Sequence, residues 1–206
     1  MPSLSQKLFA WGNDRTEGMR NRVLGADKQQ LLSKAKGSVI EIGMGNGGNV
    51  QFYPHGVSIV GIEPNAAMHK YIDRNRQKYG VDVTISDSSA EALPIASDSV
   101  DTVVTTHVLC SVRDVQASLG EILRILKPGG EYLFIEHVAA KRGTALRVIQ
   151  NMARGVHSAV FAGCQCNREI WNDIETAGFA TVELTHKDLR TFLAHVTPHI
   201  VGSARK

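Results

Sequence analysis

The sequence has few cysteines and no long hydrophobic run. Its 206 residues include three cysteines, Cys110, Cys164 and Cys166, and an odd count is typical of a reducing compartment rather than of a disulfide-stabilised secreted protein. Cys164 and Cys166 lack a second ligand pair, so we expect no metal site. The apolar runs are too short for a membrane span, and the N-terminus lacks the apolar core of a signal peptide. The sequence therefore predicts a cytoplasmic protein without a transmembrane segment.

Aromatic residues and dense clusters of positive charge are also scarce. Aromatic residues make up 6% of the chain, and the net charge is +3 without a dense Lys/Arg tract. Nucleic-acid binders usually combine a basic stripe with stacking aromatics, so we expect a small-molecule substrate and no nucleic-acid partner. The length and the hydrophobic content of 43% suit a single α/β domain, which we expect to be a monomer or a homodimer.

Strand-like and helix-like segments alternate along the middle of the chain. Apolar runs typical of strands cover residues 38–43, 58–63, 81–86, 99–106 and 130–138. Helical patterns cover residues 66–78 and 117–127, and the second of them stops at Pro128-Gly129-Gly130, a strong helix-end and turn signal. Such alternation predicts βαβ units and a mostly parallel sheet.

The two ends of the chain depart from that alternation. Residues 179–188 and 199–206 predict two strands with no full helix between them, which favours an antiparallel hairpin at the edge of a seven-stranded sheet with helices on both faces. At the other end, Leu4, Leu8 and Trp11 at helical spacing predict a short amphipathic helix that packs against the core. Within one domain over 1–206, the expected segments are an N-terminal helical cap (1–36), a cofactor-binding core (37–138), a lid ending in a helix that Asn167 could cap (139–178), and the C-terminal strands (179–206).

A glycine-rich loop follows the first predicted strand and contains Gly43, Gly45, Gly47 and Gly48. Glycines let the backbone turn tightly and approach a ligand, and ligands bind at this edge of open α/β sheets. The G-x-G-x-x-G spacing leaves an NAD(P)-dependent oxidoreductase open. Glu41 instead favours S-adenosylmethionine, because a carboxylate beside the loop repels a pyrophosphate and attracts an ammonium and a sulfonium. Glu63, at the end of the second strand, can accept both ribose hydroxyls of either cofactor.

Five successive motifs resemble those of class I S-adenosylmethionine-dependent methyltransferases, namely EIGMGNGGN, GIEPN, SSAEALP, SDSVDTVV and LKPGG. The resemblance covers residues 38–136 and implies a Rossmann-like α/β fold, S-adenosyl-L-methionine as cofactor and S-adenosyl-L-homocysteine as product. It implies cofactor contacts from Glu41, Gly43, Gly45, Gly47, Glu63, Pro64, Asn65, Met68, Ser89, Ala90, Glu91, Thr106 and His107. Many relatives have Asp in place of Ser89. A non-catalytic cofactor-binding protein is a further alternative, which the two acids Glu41 and Glu63 disfavour.

Three of these residues have a structural alternative that the sequence leaves open. Met68 can equally be core packing, Glu91 can be a carboxylate at the start of a helix, and His107 can be a hydrogen-bonded histidine without a role in binding.

A narrower resemblance covers roughly residues 36–206. The segments NVQFYPHG, HVLCSVRD, LKPGGEYLFIEHVA, GCxxxREIW and PHIVGSARK are similar to those of the methyltransferase-like 7 family of alkyl-thiol S-methyltransferases. The resemblance implies methyl transfer to a small thiol. O- or N-methylation of a small, quinone-like or phospholipid acceptor is the alternative. Animal members carry an N-terminal hydrophobic anchor, and this sequence begins without one, which disfavours a membrane-resident, lipophilic substrate and leaves thiol chemistry open.

Methyl transfer to a thiol requires a thiolate held in line with the sulfonium, and a modest positive potential suffices to form it. His137, with Glu136 beside it at the end of the fifth strand, is the first candidate for a base or a cation. Its alternative role is to fix the lid. Candidates for substrate contact are Trp11, Arg168 and His199, although Arg168 can be a helix-surface charge and His199 a structural residue. Cys164 is interpreted as buried packing, because direct transfer needs no covalent intermediate.

Overall fold

The computed structural model describes residues 1–189 and 194–206 of the protein. Seven strands form one sheet in this part of the chain: β1 (Ser38–Ile42), β2 (Ser58–Ile62), β3 (Val83–Ser86), β4 (Val100–Thr106), β5 (Leu126–His137), β6 (Thr181–Asp188) and β7 (Pro198–Arg205). The α-helices are α1 (Leu4–Leu32), α2 (Ala66–Tyr79), α3 (Val115–Ile125), α4 (Ala145–Val160) and α5 (Ile170–Glu175).

The strand order is β3-β2-β1-β4-β5-β7-β6. Strands β1 to β5 pair in parallel, and β7 is antiparallel to both β5 and β6. The predicted seven-stranded, mostly parallel sheet with a C-terminal antiparallel pair is therefore confirmed. The direction of winding reverses between β1 and β4, and ligands of open α/β sheets bind at such a switch point.

Helices cover both faces of the sheet, as predicted. Alternation along β5 directs Tyr132 and Phe134 into one apolar cluster, which also contains side chains of α3 and α5. Leu133 and Ile135 point to the opposite face and join a cluster with α1 and α2. Successive side chains of a strand point to opposite faces, so a continuous apolar run predicts a strand that is buried on both sides.

Helix α1 is much longer than the predicted short helix. It begins with a capping box, in which the Ser3 side chain accepts a hydrogen bond from the Gln6 backbone and the Gln6 side chain accepts one from Ser3. It then continues for 29 residues. Its C-terminal half packs on the sheet through Leu24, Leu31 and Leu32.

The prediction that Leu4, Leu8 and Trp11 pack against the core is wrong, because all three are exposed. The N-terminal half of α1 directs a different side inwards, which carries Ala10 and several polar residues. Ala10 is buried against Met68 at the start of α2. In this half of the helix, the apolar residues at helical spacing therefore lie on the side that faces solvent.

The sequence predicts a turn after a helix at Pro128-Gly129-Gly130, and this prediction is wrong, because the segment lies inside β5. Helix α3 ends at Ile125, and Leu126 already pairs with Val100 as the first residue of β5. The register between β4 and β5 then shifts, and Gly129 takes a φ of 77°. Proline and glycine are tolerated here because they lie in an irregular part of the strand.

The predicted lid contains two helices rather than one. Helix α4 covers Ala145–Val160, and α5 is a short helix whose N-cap position is Glu169, without a side-chain cap. The prediction that Asn167 caps this helix is wrong, since its side-chain amide donates to Asn151 on α4 instead.

Within residues 1–189 and 194–206, no helix combines the length and the apolar character needed to cross a membrane. The cytoplasmic location stays a prediction.

Gly202 provides a test of how closely the C-terminal strands pack. It lies in β7 opposite Phe134 and Leu184, and a Cβ at this position would lie 2.3 Å from the carbonyl oxygen of Glu183 and 2.7 Å from the Phe134 ring. We expect Gly202→Ala to lower the free energy of unfolding by about 3 kcal/mol, because backbone cannot move aside cheaply. Urea denaturation measures the change.

The matched control is Gly120→Ala, in the exposed middle of α3, where a Cβ meets nothing within 4 Å. This change should stabilise the protein by about 0.5–1 kcal/mol, since alanine is the better helix former. Equal effects of the two substitutions would contradict the packing described for β7.

Candidate functional site

The glycine loop lies at the carboxyl end of β1, beside the switch point of the sheet. Gly43, Gly45 and Gly47 have φ values of 64°, 59° and 74°, which is the left-handed region where side chains are strained. A Cβ on Gly43 would lie 2.5 Å from the Val108 side chain, so the loop packs directly on the segment that follows β4. At Gly45 a Cβ would meet nothing nearer than 3.9 Å, so this is the open side of the loop.

Helix α1 covers that side of the loop with polar residues. Asn13 faces Gly45, and the Glu17 carboxylate lies so close to Gly48 that a Cβ there would be 2.2 Å from it. Asp14 accepts a hydrogen bond from the Asn46 side chain. The N-terminal segment is therefore a cap over the loop, and its polar face is the side that lies against the loop.

Glu63 follows β2 and reaches the same open side. One of its oxygens accepts from the Gly45 backbone at 2.8 Å and the other from the Asn65 backbone at 2.9 Å. Burial raises the pKa of Glu63. A carboxylate oxygen has two acceptor positions, so each oxygen keeps one for a ribose hydroxyl. Together with the bare backbone of Gly45, this acid fits the adenosyl part of S-adenosylmethionine.

The other predicted contacts around the adenosine have different surroundings. Pro64 is exposed, and Asn65 caps α2, with its side chain accepting from the Ala67 backbone at 3.1 Å. Met68 is buried in a small cluster with Ala10, and its contact with the cofactor stays a prediction.

The three predicted contacts after β3 also differ from one another in their surroundings. Ser89 is exposed, and Ala90 is buried in the core. Glu91 accepts from the Arg113 backbone at 2.8 Å and from the Asp114 backbone, where Asp114 is the N-cap of α3. The structure thus favours the helix-start role of Glu91.

Glu41 lies beneath the loop rather than facing its open side. Its carboxylate accepts from the Asn49 side chain at 2.8 Å and from the Tyr53 hydroxyl at 2.9 Å. The same Asn49 amide also donates to Thr106 at the end of β4. Glu41 is 1% exposed, and this burial raises its pKa to about 7. Through Asn49, it therefore connects the end of the glycine-rich segment with the end of β4.

Glu136, at the end of β5, is buried in a similar way. Its two oxygens accept from the Val108 backbone at 3.1 and 2.9 Å, and burial raises its pKa to about 7. It holds the segment after β4, where His107 adopts a φ of 58°. Glu136 is thus a positioning residue for this segment.

His107 and His199 form a hydrogen-bonded pair. Nδ1 of His199 lies 2.8 Å from the Thr197 carbonyl, so it carries the proton and donates. Nε2 of His199 is then an acceptor, and the His107 Nε2, at 3.1 Å, donates to it. Burial is the main cause that lowers the pKa of both histidines. Both rings are therefore neutral at physiological pH.

His137 contacts a cysteine from the lid. Its Nε2 lies 2.7 Å from the Sγ of Cys164, and its Nδ1 is buried without a partner in the described part of the chain. Cys110, from the segment after β4, also reaches this point: a hydrogen bond with Cys164 and burial raise the pKa of the Cys110 thiol. Burial lowers the pKa of His137 to about 3, which favours its neutral ring, and its catalytic role stays a prediction.

The remaining substrate candidates lie at the border of the site. Arg168 donates to the Leu109 carbonyl at 2.6 Å and so fastens the lid to the segment after β4, rather than lying on a helix surface. Trp11 is 56% exposed and stacks with Arg15. A cavity of about 330 Å³ opens beside His199 and is lined by Ala139, Ala140, Lys141, Thr144, Leu146, His186, Lys187, Asp188 and Pro198.

Sequence reasoning found the glycine loop, Glu63 and the histidines, but it did not bring Cys110 to the site. It considered the cysteines by their spacing in the chain, which pairs Cys164 with Cys166. In the structure, Cys166 instead bonds the Gln150 carbonyl. The motifs HVLCSVRD and GCxxxREIW, which carry Cys110 and Cys164, were the available signal.

The sheet order, the glycine loop and the adjacent acid define a Rossmann-like S-adenosylmethionine-dependent methyltransferase. Residues 40–134 match a family model described as a methyltransferase domain. A Thermotoga maritima crystal structure, of an S-adenosylmethionine-dependent methyltransferase described as a possible histamine N-methyltransferase, is similar with a TM-score of 0.69. The two sequences are 21% identical, and the match covers 98% of each chain, so the two proteins share a fold.

Two curated relatives are similar along nearly the whole chain. Human thiol S-methyltransferase TMT1A is 32% identical over 98% of this chain and 88% of its own length. Mouse thiol S-methyltransferase TMT1B is 33% identical over 100% of this chain and 85% of its own length. The chain belongs to the family of these thiol S-methyltransferases. This membership sets aside the NAD(P)-dependent oxidoreductase and the non-catalytic alternatives.

The buried carboxyl of Glu41 generates a prediction about pH and stability. Because its pKa rises from 4.5 to about 7 on folding, the folded state must ionise a buried acid as the pH rises through that window. Glu41→Gln removes this cost. The variant should therefore gain stability relative to the parent protein between pH 4.5 and pH 8, by up to about 3 kcal/mol.

Urea denaturation at pH 5 and pH 8 measures the difference. Glu183→Gln, which changes an exposed carboxylate on β6, is the matched control. A Glu41→Gln difference that is the same at both pH values would show that the carboxyl ionises as easily in the folded as in the unfolded state.

Proposed function

We propose that the protein transfers the methyl group of S-adenosylmethionine to the sulfur of a small-molecule thiol. The observation that carries this proposal is the similarity along nearly the full chain to thiol S-methyltransferases. S-adenosylmethionine supplies an activated methyl group on a sulfonium. The protein's task is then to hold an acceptor sulfur in line with it, and such positioning can provide much of the rate.

The geometry of the loops supports this task. Gly43 packs on Val108, and Val108 is fixed by Glu136. His107, next to it, has its ring 6.2 Å from that of His137. The loop that fits the cofactor is therefore adjacent to the group of Cys110, His137 and Cys164, at the carboxyl ends of β1, β4 and β5. This is where the methyl group and the acceptor must meet.

We assign the cofactor contacts on the same grounds. Glu63 accepts the ribose hydroxyls, and the backbone of Gly43, Gly45 and Gly47 lies along the methionine and ribose parts. Glu41 positions the loop through Asn49, without direct contact. Thr106 and His107 lie beside the methionine part, and Ser89 and Ala90 lie beside the adenine.

The acceptor enters, on this proposal, through the cavity beside His199. Its walls come from the start of the lid, the end of β6 and the start of β7, so the lid determines which acceptors fit. Arg168 keeps the lid attached to the segment after β4, and it acts as a positioning residue.

A phospholipid or quinone-like acceptor is the second candidate, and one observation favours it. Helix α4 exposes a row of large apolar side chains, Val148, Ile149, Met152, Val156 and Val160. Leu146 of the same helix lines the cavity. A lipid-like acceptor would find apolar surface on its way to the site.

Glu63 allows a test of the cofactor site. We expect Glu63→Ala to weaken binding of S-adenosylhomocysteine by about 100-fold or more, because two hydrogen bonds to a charged group are lost, each worth about 1.5–3 kcal/mol. Isothermal titration calorimetry measures the affinity. Asp82→Asn, at an exposed carboxylate before β3, is the control with unchanged binding. Tight binding by Glu63→Ala would refute the ribose assignment.

A matched pair of acceptors tests the reaction. The enzyme should methylate 2-mercaptoethanol but not ethylene glycol, since only the thiol ionises readily near neutral pH. Production of S-adenosylhomocysteine and the mass of the methylated acceptor report turnover. Hydroquinone and phosphatidylethanolamine vesicles complete the panel. Methylation of either of these, without thiol turnover, would replace the thiol proposal with the second candidate.

A further inference from the structure

Three side chains from distant parts of the chain meet behind the segment after β4. Cys110 follows β4, His137 ends β5, and Cys164 belongs to the lid. All three are buried, and their ligand atoms (the two Sγ atoms and an imidazole nitrogen) lie within 4.8 Å of one another. We call these residues the Cys2His cluster. The matched methyltransferase domain, which ends at residue 134, includes one of the three.

We propose that the Cys2His cluster binds a zinc ion, and that the fourth coordination position of the ion takes the sulfur of the acceptor thiol. The first part stands on the cluster alone, whereas the second part rests on the proposed function.

The two cysteine sulfurs and the histidine nitrogen indicate which metal the cluster binds. Zn²⁺ prefers cysteine sulfur and histidine nitrogen in tetrahedral geometry, and two cysteines with one histidine form a known catalytic set that leaves the fourth position open. In the described part of the chain, this group has three members. The neighbouring histidines bond elsewhere: His107 pairs with His199, and His157 pairs with His195. The fourth position is therefore left to a ligand from outside the chain.

The distances require only a small adjustment. Tetrahedral zinc with two sulfur ligands and one nitrogen ligand places the ligand atoms about 3.5–3.8 Å apart. The 2.7 Å contact between His137 Nε2 and Cys164 Sγ lengthens by less than an ångström on binding, and Cys110 already lies within reach. With Nε2 on the metal, Nδ1 of His137 carries the proton. That atom is buried without a partner among the described residues, so it could donate to a water that enters with the metal.

Charge balance favours the ion in this buried place. On binding, the thiols of Cys110 and Cys164 each release a proton to solvent, and the two thiolates neutralise the divalent cation. A neutral imidazole adds no charge. The loaded cluster is therefore uncharged, whereas a single buried thiolate would lack a counter-ion.

An acceptor thiol that binds in the fourth position loses its own proton in the same way. Its sulfur becomes a metal-bound thiolate, and the S–H proton passes to solvent. Methyl transfer then forms the new S–C bond and breaks the S–C bond to the sulfonium, so the acceptor leaves as a neutral thioether that binds zinc weakly.

Cobalt(II) is the probe for the site, because thiolate ligands give it an intense charge-transfer absorption. We expect the reduced full-length protein to bind one equivalent of Co²⁺ with this absorption, in the absence of cofactor and acceptor, and Zn²⁺ to displace it. Binding in a weakly buffered solution should release about two protons per metal ion. Zn²⁺ should also raise the melting temperature, and a chelator should reverse the shift.

Three variants and a matched control locate the ligands. Cys110→Ser, Cys164→Ser and His137→Gln should each lose the cobalt absorption or lower its intensity. Cys166→Ser should retain it, because that buried cysteine bonds the Gln150 carbonyl instead. Circular dichroism establishes that each variant is folded. The proposal is overturned if the parent protein shows no cobalt–thiolate absorption, or if only Cys166→Ser loses it.

The fourth position is tested separately from turnover. Adding 2-mercaptoethanol to the cobalt protein should intensify the charge-transfer absorption, and ethylene glycol should leave it unchanged. No change with the thiol, in a protein that methylates it, would overturn the role of the metal in acceptor binding. A spectral change without any methylation would instead contradict the proposed function and leave the metal site in place.

Discussion

The buried carboxylate of Glu41 fastens the two strands between which the site opens. The side-chain amide of Asn49 donates both to Glu41 on β1 and to Thr106 at the end of β4. The direction of winding reverses between these two strands, so the loops that leave them diverge, and the Asn49 hydrogen bonds hold them together. Burial of Glu41 raises the pKa of its carboxyl to about 7, so its ionisation lowers the stability of the folded state. The site's geometry is thus held at some expense of stability, as is common at functional sites.

Glu136, at the end of the neighbouring strand β5, is also a buried acid that holds a loop. Its carboxylate holds the Val108 backbone, and Val108 in turn packs on Gly43 of the glycine loop. Two buried acids therefore position two loops that contact each other. The structure shows the protein partners of Glu41 and Glu136, and their predicted contacts with cofactor and substrate stay predictions.

The sequence predicted the parts of the fold that depend on apolar periodicity. Buried strands such as β1 and β4 read as apolar runs, and the glycine loop and Glu63 follow from the place of their motif after a strand. The N-terminal half of α1 was not predictable in this way, because it directs Asn13, Asp14 and Glu17 towards the glycine loop and exposes Leu4 and Leu8. The meeting of Cys110 with Cys164 was equally hidden, since it depends on how the lid returns to the sheet.

The burial of the cysteine–histidine cluster agrees with the chemistry of a thiol acceptor. Transfer of a methyl group from a sulfonium to a thiolate removes one positive and one negative charge and leaves two neutral thioethers. A site that excludes water disfavours the separated charges more than the transition state, in which both have diminished. An uncompensated thiolate would not form there, and the neutral rings of His107 and His199 offer no counter-charge. On the proposed metal site, the bond from the metal ion to the acceptor sulfur favours its thiolate form, and the sulfonium of the cofactor balances the remaining negative charge.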